Sequence, residues 1–193
     1  KYFNLFLIKH LPKKIIHLTY SLPAKKYLKK KLNRTTLLIN HPIIKNDKTS
    51  NNLLKKHKSF FKGKNTILIP TRHHFKELSI LKVLNTYQNI NFIILLKNSN
   101  LKKKKFFNYR NTLTLDYISE NYISKIDAIY LPIDDNIYKY RISAWLYRGI
   151  AFEKIVILNN NFLFRFEKKR FPNYILNSKL DFNKICTLHI NKK

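Results

Sequence analysis

Two pairs of polar residues stand where chemistry can be done. His73 and His74 follow an apolar run that reads as a strand, and strand ends are a common place for function in α/β folds. Imidazoles ligate metals or face phosphate, but Glu77 is the only nearby carboxylate at ligand spacing, so no metal site is expected. Asp134 and Asp135 follow a second apolar run. Paired acids can hold a divalent ion or act as acid and base. An Asp ahead of a helix also satisfies free amide groups, and a helix is expected from about Ile137, so capping is the expected role. Cys186 is the single cysteine, which rules out an intrachain disulfide and a cysteine-cluster zinc site. In the apolar stretch KICTLHI it reads as a buried, inert thiol. No Ser-His-Asp or Cys-His set assembles. Gly63 and Gly149 are the only glycines, so neither GxGxxG nor a P-loop exists. The chain is expected to be no enzyme, with no cofactor, no small-molecule substrate and no nucleotide site built on close backbone approach.

The residues that stand out are cationic. Lys and Arg number 39 against 10 Asp and Glu, a formal net charge of +29 in 193 residues. A free globular protein with this much like charge repels itself, whereas a chain embedded in a polyanion tolerates it. Nucleic-acid phosphate is the commonest such partner, because each neutralised phosphate releases a counterion. An A/T-rich genome accounts for part of the lysine, since Asn, Ile, Phe and Tyr abound too, but it does not make acids rare. No Asp or Glu occurs before Asp47. The candidate RNA-binding residues are Lys25, Lys26, Lys29, Lys30, Lys31 and Arg34; Lys102, Lys103, Lys104, Lys105 and Arg110; Lys168, Lys169 and Arg170; and Arg72 at a strand end. Lysine meets phosphate as a point charge, arginine forks onto it, and the interleaved Tyr and Phe stack on unpaired bases. The clusters are expected in loops or short extensions that follow an irregular RNA surface, with contacts mostly to phosphate and ribose.

The elements that must position these groups alternate. Strands are expected near Leu37, Ile67, Ile93, Ile129 and Val156, with NYIL as a last short strand. Helical spacing covers 50–61, 74–87 and 137–152; LDYISENYI reads as a short helix, FRFEKKRFP as a basic loop, and LDFNKICTLHINK as a closing helix with Asp181 near its start. Such alternation implies an α/β fold: a Rossmann-like, mostly parallel sheet of about five strands with helices on both faces, basic loops and an N-terminal extension. The expected division is a basic extension over 1–34 and a single α/β domain over 35–193, with a short basic insertion near 98–126. The 45% hydrophobic content is enough for a sizeable core. No apolar run approaches the roughly 20 residues of a membrane span, so no membrane partner is expected. KYFNLFLIKHL lacks the Ser- and Arg-rich character of a targeting segment, and a chain without Met is expected not to start translation at Lys1.

Several of these stretches together resemble the bacterial-type small-subunit ribosomal protein family called S-two. His17, then PAKKYLKKKLNRTTLLIN, a helix, and KGKNTILIPTR resemble its N-terminal half; IDAIYLP, RGIAFEKIVILNN and YILNSKLDFNKICTLHI, with Asp181, resemble the remainder. KNSNLKKKKFF replaces the family's Trp-Leu-Gly-Gly motif, and little room is left between Asn100 and Ile126 for its long coiled-coil hairpin. The resemblance implies a structural, non-catalytic rRNA-binding protein contributing to translation, with small-subunit rRNA and neighbouring ribosomal proteins as partners. The A/T-biased composition points to a mitochondrial ribosome, with a plastid or an A/T-rich bacterial cytoplasm as alternatives. Residues 126–158 also resemble the C-terminal donor-binding stretch of two-Rossmann-domain nucleotide-sugar glycosyltransferases, with Arg141 and Ser143 matching its Arg-x-Ser. Arg148 stands where that family has a donor-contacting Glu, and Ala144 and Glu153 stand where it has Gly. That resemblance implies the alternative, a degenerate or partial glycosyltransferase domain.

Overall fold

A computed structural model of the chain describes residues 10–20, 22–39, 57–71, 77–96, 109–133, 143–159 and 161–177. Its central element is a six-stranded sheet in the order β5-β4-β3-β6-β7-β8, with every neighbouring pair parallel. The strands are β3 (Thr66–Pro70), β4 (Asn91–Leu95), β5 (Thr112–Leu115), β6 (Ala128–Leu131), β7 (Ile155–Leu158) and β8 (Ile175–Asn177). Parallel strands need crossovers: α2 (Glu77–Thr86) lies between β3 and β4, α3 (Glu120–Lys125) between β5 and β6, α4 (Ala144–Ala151) between β6 and β7 and α5 (Asn161–Arg170) between β7 and β8, while most of the β4–β5 connection lies outside the described residues. The α/β, Rossmann-like reading of the sequence therefore holds. Strands β3 and β4 are buried along their whole length, as their unbroken apolar runs require when both faces are covered.

Side-chain alternation divides the core in two. Leu68, Ile93, Ile129 and Val156 face one way, against Tyr122 and Ile123 of α3 and Leu146 and Tyr147 of α4. Ile67, Ile69, Phe92, Ile94 and Ile157 face the other way, against Ile80, Val83 and Leu84 of α2. Strand order reverses direction between β3 and β6, where a doubly wound sheet opens a crevice beyond its carboxyl ends.

Four expectations about elements are corrected. The strand at Leu37 forms, as β2 (Thr36–Leu38), but it lies outside the central sheet and pairs in parallel with β1 (His17–Thr19) in a separate two-stranded sheet. The segment read as an extension thus contains β1 and α1 (Leu22–Leu32), and α1 links the two strands. Strand β5, in the segment read as an insertion, was not expected; its residues are only half-buried at the sheet edge. FRFEKKRFP is no loop, because α5 runs to Arg170 and stops two residues before Pro172. Finally, α4 begins at Ala144, with Ser143 extended at φ −82° and ψ 125°, so the helix expected from about Ile137 is not continuous into α4. Among the described residues no helix is long and apolar enough to cross a membrane.

Candidate nucleic-acid interface

Helix α1 reads LPAKKYLKKKL and holds five lysines with no acid. At about 100° per residue, Lys25, Lys29, Lys26 and Lys30 fall within a stripe about 140° wide, and buried Leu28 (8% exposed) lies about 60° beyond its Lys25 edge. Lys26, Lys29, Lys30 and Lys31 are exposed, and Lys25 is half-buried. Lysines 29, 30 and 31 also lie in the last turn, where cations complement the helix dipole. Asn33, at φ 45°, ends the helix, and the following Arg34 N–H donates to the Leu28 carbonyl at 3.1 Å. That turn carries Arg34 inward. It is 5% exposed, so it is not part of the outward basic surface that its neighbours form.

The cluster on α5 is likewise divided. Lys169 is exposed, whereas the Lys168 ammonium donates to the Pro172 carbonyl. Arg170 lies over the rings of Tyr147 at 5.8 Å and Phe171 at 5.2 Å. Its Nη1 donates to Tyr147 Oη at 2.9 Å and pairs with Glu167 Oε2 at 3.3 Å. The lysines of both clusters therefore sit on helices, where a basic loop was expected for 168–170 and a loop or short extension for 25–34. Arg72 and Lys102, Lys103, Lys104 and Lys105 lie outside the described residues, as do His73, His74, Asp134, Asp135, Arg141 and Cys186.

Arg110 is exposed in the turn before β5, and it has company that the sequence did not reveal. With Lys64, Gln88, Asn91, Tyr109 and Asn111 it lines an open cleft of about 410 Å³. All six residues lie at the amino-terminal edge of β3, β4 and β5, which becomes one place only when those strands are neighbours. Strand order was the missing signal. Two of the six also hold the scaffold. Asn111 Nδ2 donates to the carbonyls of Tyr87 at 3.2 Å and Ile90 at 2.7 Å, and Asn91 Nδ2 donates to the Phe60 carbonyl.

At the opposite edge, the described groups of the switch point are committed to the fold. The Thr71 N–H donates to the Leu95 carbonyl at 3.2 Å, and the Ile133 N–H donates to Asn159 Oδ1 at 2.8 Å. Ser143 is 7% exposed and makes no side-chain cap to α4. The Arg148 guanidinium lies over the Trp145 ring at 4.8 Å. Burial lowers the Arg148 pKa, and the Glu120 carboxylate works against that shift. Among the described residues no three His, Cys, Asp or Glu side chains gather around one point. The chain matches no protein-family model, and no curated protein is significantly similar to it.

Proposed function

We propose that this chain is a structural RNA-binding protein of a small ribosomal subunit, organellar and most simply mitochondrial, which neutralises and braces folded rRNA without catalysis. Charge carries the reading: +29 overall, and on α1 five lysines with no acid among them. Like charges spaced four apart, as in Lys25–Lys29 and Lys26–Lys30, destabilise an isolated helix by roughly 0.2–0.5 kcal/mol per pair. Phosphates lying across the stripe reverse that sign. The test is sedimentation of organelle lysates on sucrose gradients. The chain is expected to travel with the small subunit and to be released by RNase or high salt; migration as a free protein near the top of the gradient would overturn the reading.

Two observations favour the second reading, a degenerate or partial nucleotide-sugar glycosyltransferase domain. The sheet order has the switch point of dinucleotide-binding folds. Glu153, where that family has Gly, sits at φ 55°, a conformation that favours glycine. Saturable thermal stabilisation by a nucleotide-sugar, lost on changing Arg141, would select it. Arg148 in place of the donor-binding acid weighs toward the first reading.

A further inference from the structure

We infer that the cleft at the amino-terminal edge of β3, β4 and β5 receives one unpaired nucleotide of an RNA strand, its phosphate on Lys64 and Arg110 and its base against Tyr109. This rests on the RNA-binding reading and adds to it a site that grips a base rather than the backbone alone. The cleft has three kinds of lining group in one place. Lys64 and Arg110 are exposed, and no carboxylate pairs with either among the described residues. They can meet a phosphate as a point charge and as a fork. Tyr109 is half-buried and packed against the core on the α2 side of the sheet, which steadies the ring, and base–aromatic stacking tolerates any base. Asn111 has its Nδ2 committed to two backbone carbonyls, so what it has left for a ligand is Oδ1, an acceptor for a base N–H. Gln88, exposed in the turn before β4, supplies both a donor and an acceptor. A volume of about 410 Å³ lies within the range of small-ligand sites, and the cleft is open on one side, as a nucleotide still joined to its strand requires.

The opposite edge of the sheet, where doubly wound folds usually bind nucleotides, has Thr71 and Ile133 tied into internal hydrogen bonds. At the amino-terminal edge, Lys64 and Arg110 are both exposed.

The test compares binding of a short single-stranded oligoribonucleotide with that of an abasic strand of equal length and charge, measured by anisotropy on the full chain. The wild-type protein is expected to prefer the base-bearing strand by roughly 5- to 150-fold, the range for one stacked base. Y109A and Y109L should remove that preference, and Y109F should keep it. Y109L fills the ring's place in the core, which covers the possibility that Y109A fails to fold. K64Q combined with R110Q should weaken both strands and lower the salt slope by roughly 0.7 per lost contact. A triple change of Lys29, Lys30 and Lys31 to Gln should weaken both strands equally and leave the preference intact. A wild-type preference near one, a preference indifferent to Tyr109, or binding of free uridine monophosphate without the oligonucleotide would each overturn the proposal. Failure of the ribosomal reading shows separately, as a chain that does not sediment with small subunits yet keeps its Tyr109-dependent preference.

Discussion

Glu167 has no exposed surface, yet it lies in a run of cations that reads as a solvated loop. Its Oε2 accepts from the Tyr147 hydroxyl and pairs with Arg170, both at 3.3 Å, while Oε1 is buried with no partner among the described residues. Burial raises the Glu167 pKa; Arg170 and the Tyr147 hydroxyl pull it down, but burial prevails. The Tyr147 hydroxyl is pushed up to about 12 for the same reason, so it stays a donor. A carboxyl whose folded pKa is raised gives its full stabilisation below the unfolded value, about 4.3, and loses it as pH climbs through the folded value. Wild-type stability should therefore fall over that window relative to Glu167→Gln, which keeps the shape and cannot ionise. Denaturant midpoints of both proteins at a series of pH values measure it, and a difference that does not change with pH would refute the assignment. None of this was legible in EKKRF, because the sequence shows the cations and not the buried hydroxyl of Tyr147, twenty residues away, that holds the acid.

Helix α4 shows an element whose position depends on what its sequence omits. A Cβ on Gly149 would stand 2.6 Å from Val156 Cγ2 and 3.1 Å from Ile129 Cδ1, so the bare Cα lets the helix lie directly on β6 and β7. The helix then ends in a left-handed turn. The Lys154 N–H donates to the Gly149 carbonyl at 2.9 Å and the Glu153 N–H to the Ile150 carbonyl at 3.0 Å, with Glu153 at φ 55°. Gly149→Ala gains about 1 kcal/mol of helix propensity, but forcing a methyl onto stiff, buried Val156 costs about 1–3 kcal/mol. The net expectation is a loss of about 1 kcal/mol, seen as a lower urea midpoint with an unchanged slope. An equal or higher midpoint would mean that the sheet gives way easily. Such helix-on-sheet contacts were legible as classes of element: the apolar runs of β3, β4, β6 and β7 and the spacing of α2 were all plain in the sequence. Edges were not. TLTL carries too little burial to mark β5 as a strand, and the aromatic-rich start of α5, with low helix propensity, resembled a loop.

At the scale of the whole molecule, periodicity indicated a parallel sheet but could not give its order, and order decides which loops meet. The cleft of Lys64, Tyr109 and Arg110 exists because β3, β4 and β5 lie side by side. The same holds for charge: the total was countable at once, while its distribution required the fold. Arg34 turns inward and Arg170 is held by Glu167 and two rings, so two arginines of the expected set are drawn into the protein. Lys29, Lys30 and Lys31 stay outward on the last turn of α1, a helix with no acid of its own. Changing all three to Gln removes their service to the helix dipole, roughly 0.3–1 kcal/mol each at low salt, offset in part by relief of the Lys25–Lys29 and Lys26–Lys30 repulsion. Binding to RNA should respond strongly. Each phosphate contact that disappears should lower the slope of log K against log salt by roughly 0.7 to 0.9, so three lost contacts change it by about 2 to 3. Affinity should fall by a similar factor for folded and unfolded RNA alike, since lysine contacts phosphate without reading bases. Filter binding at four salt concentrations checks it. An unchanged slope would mean that the last turn of α1 meets solvent or protein rather than RNA.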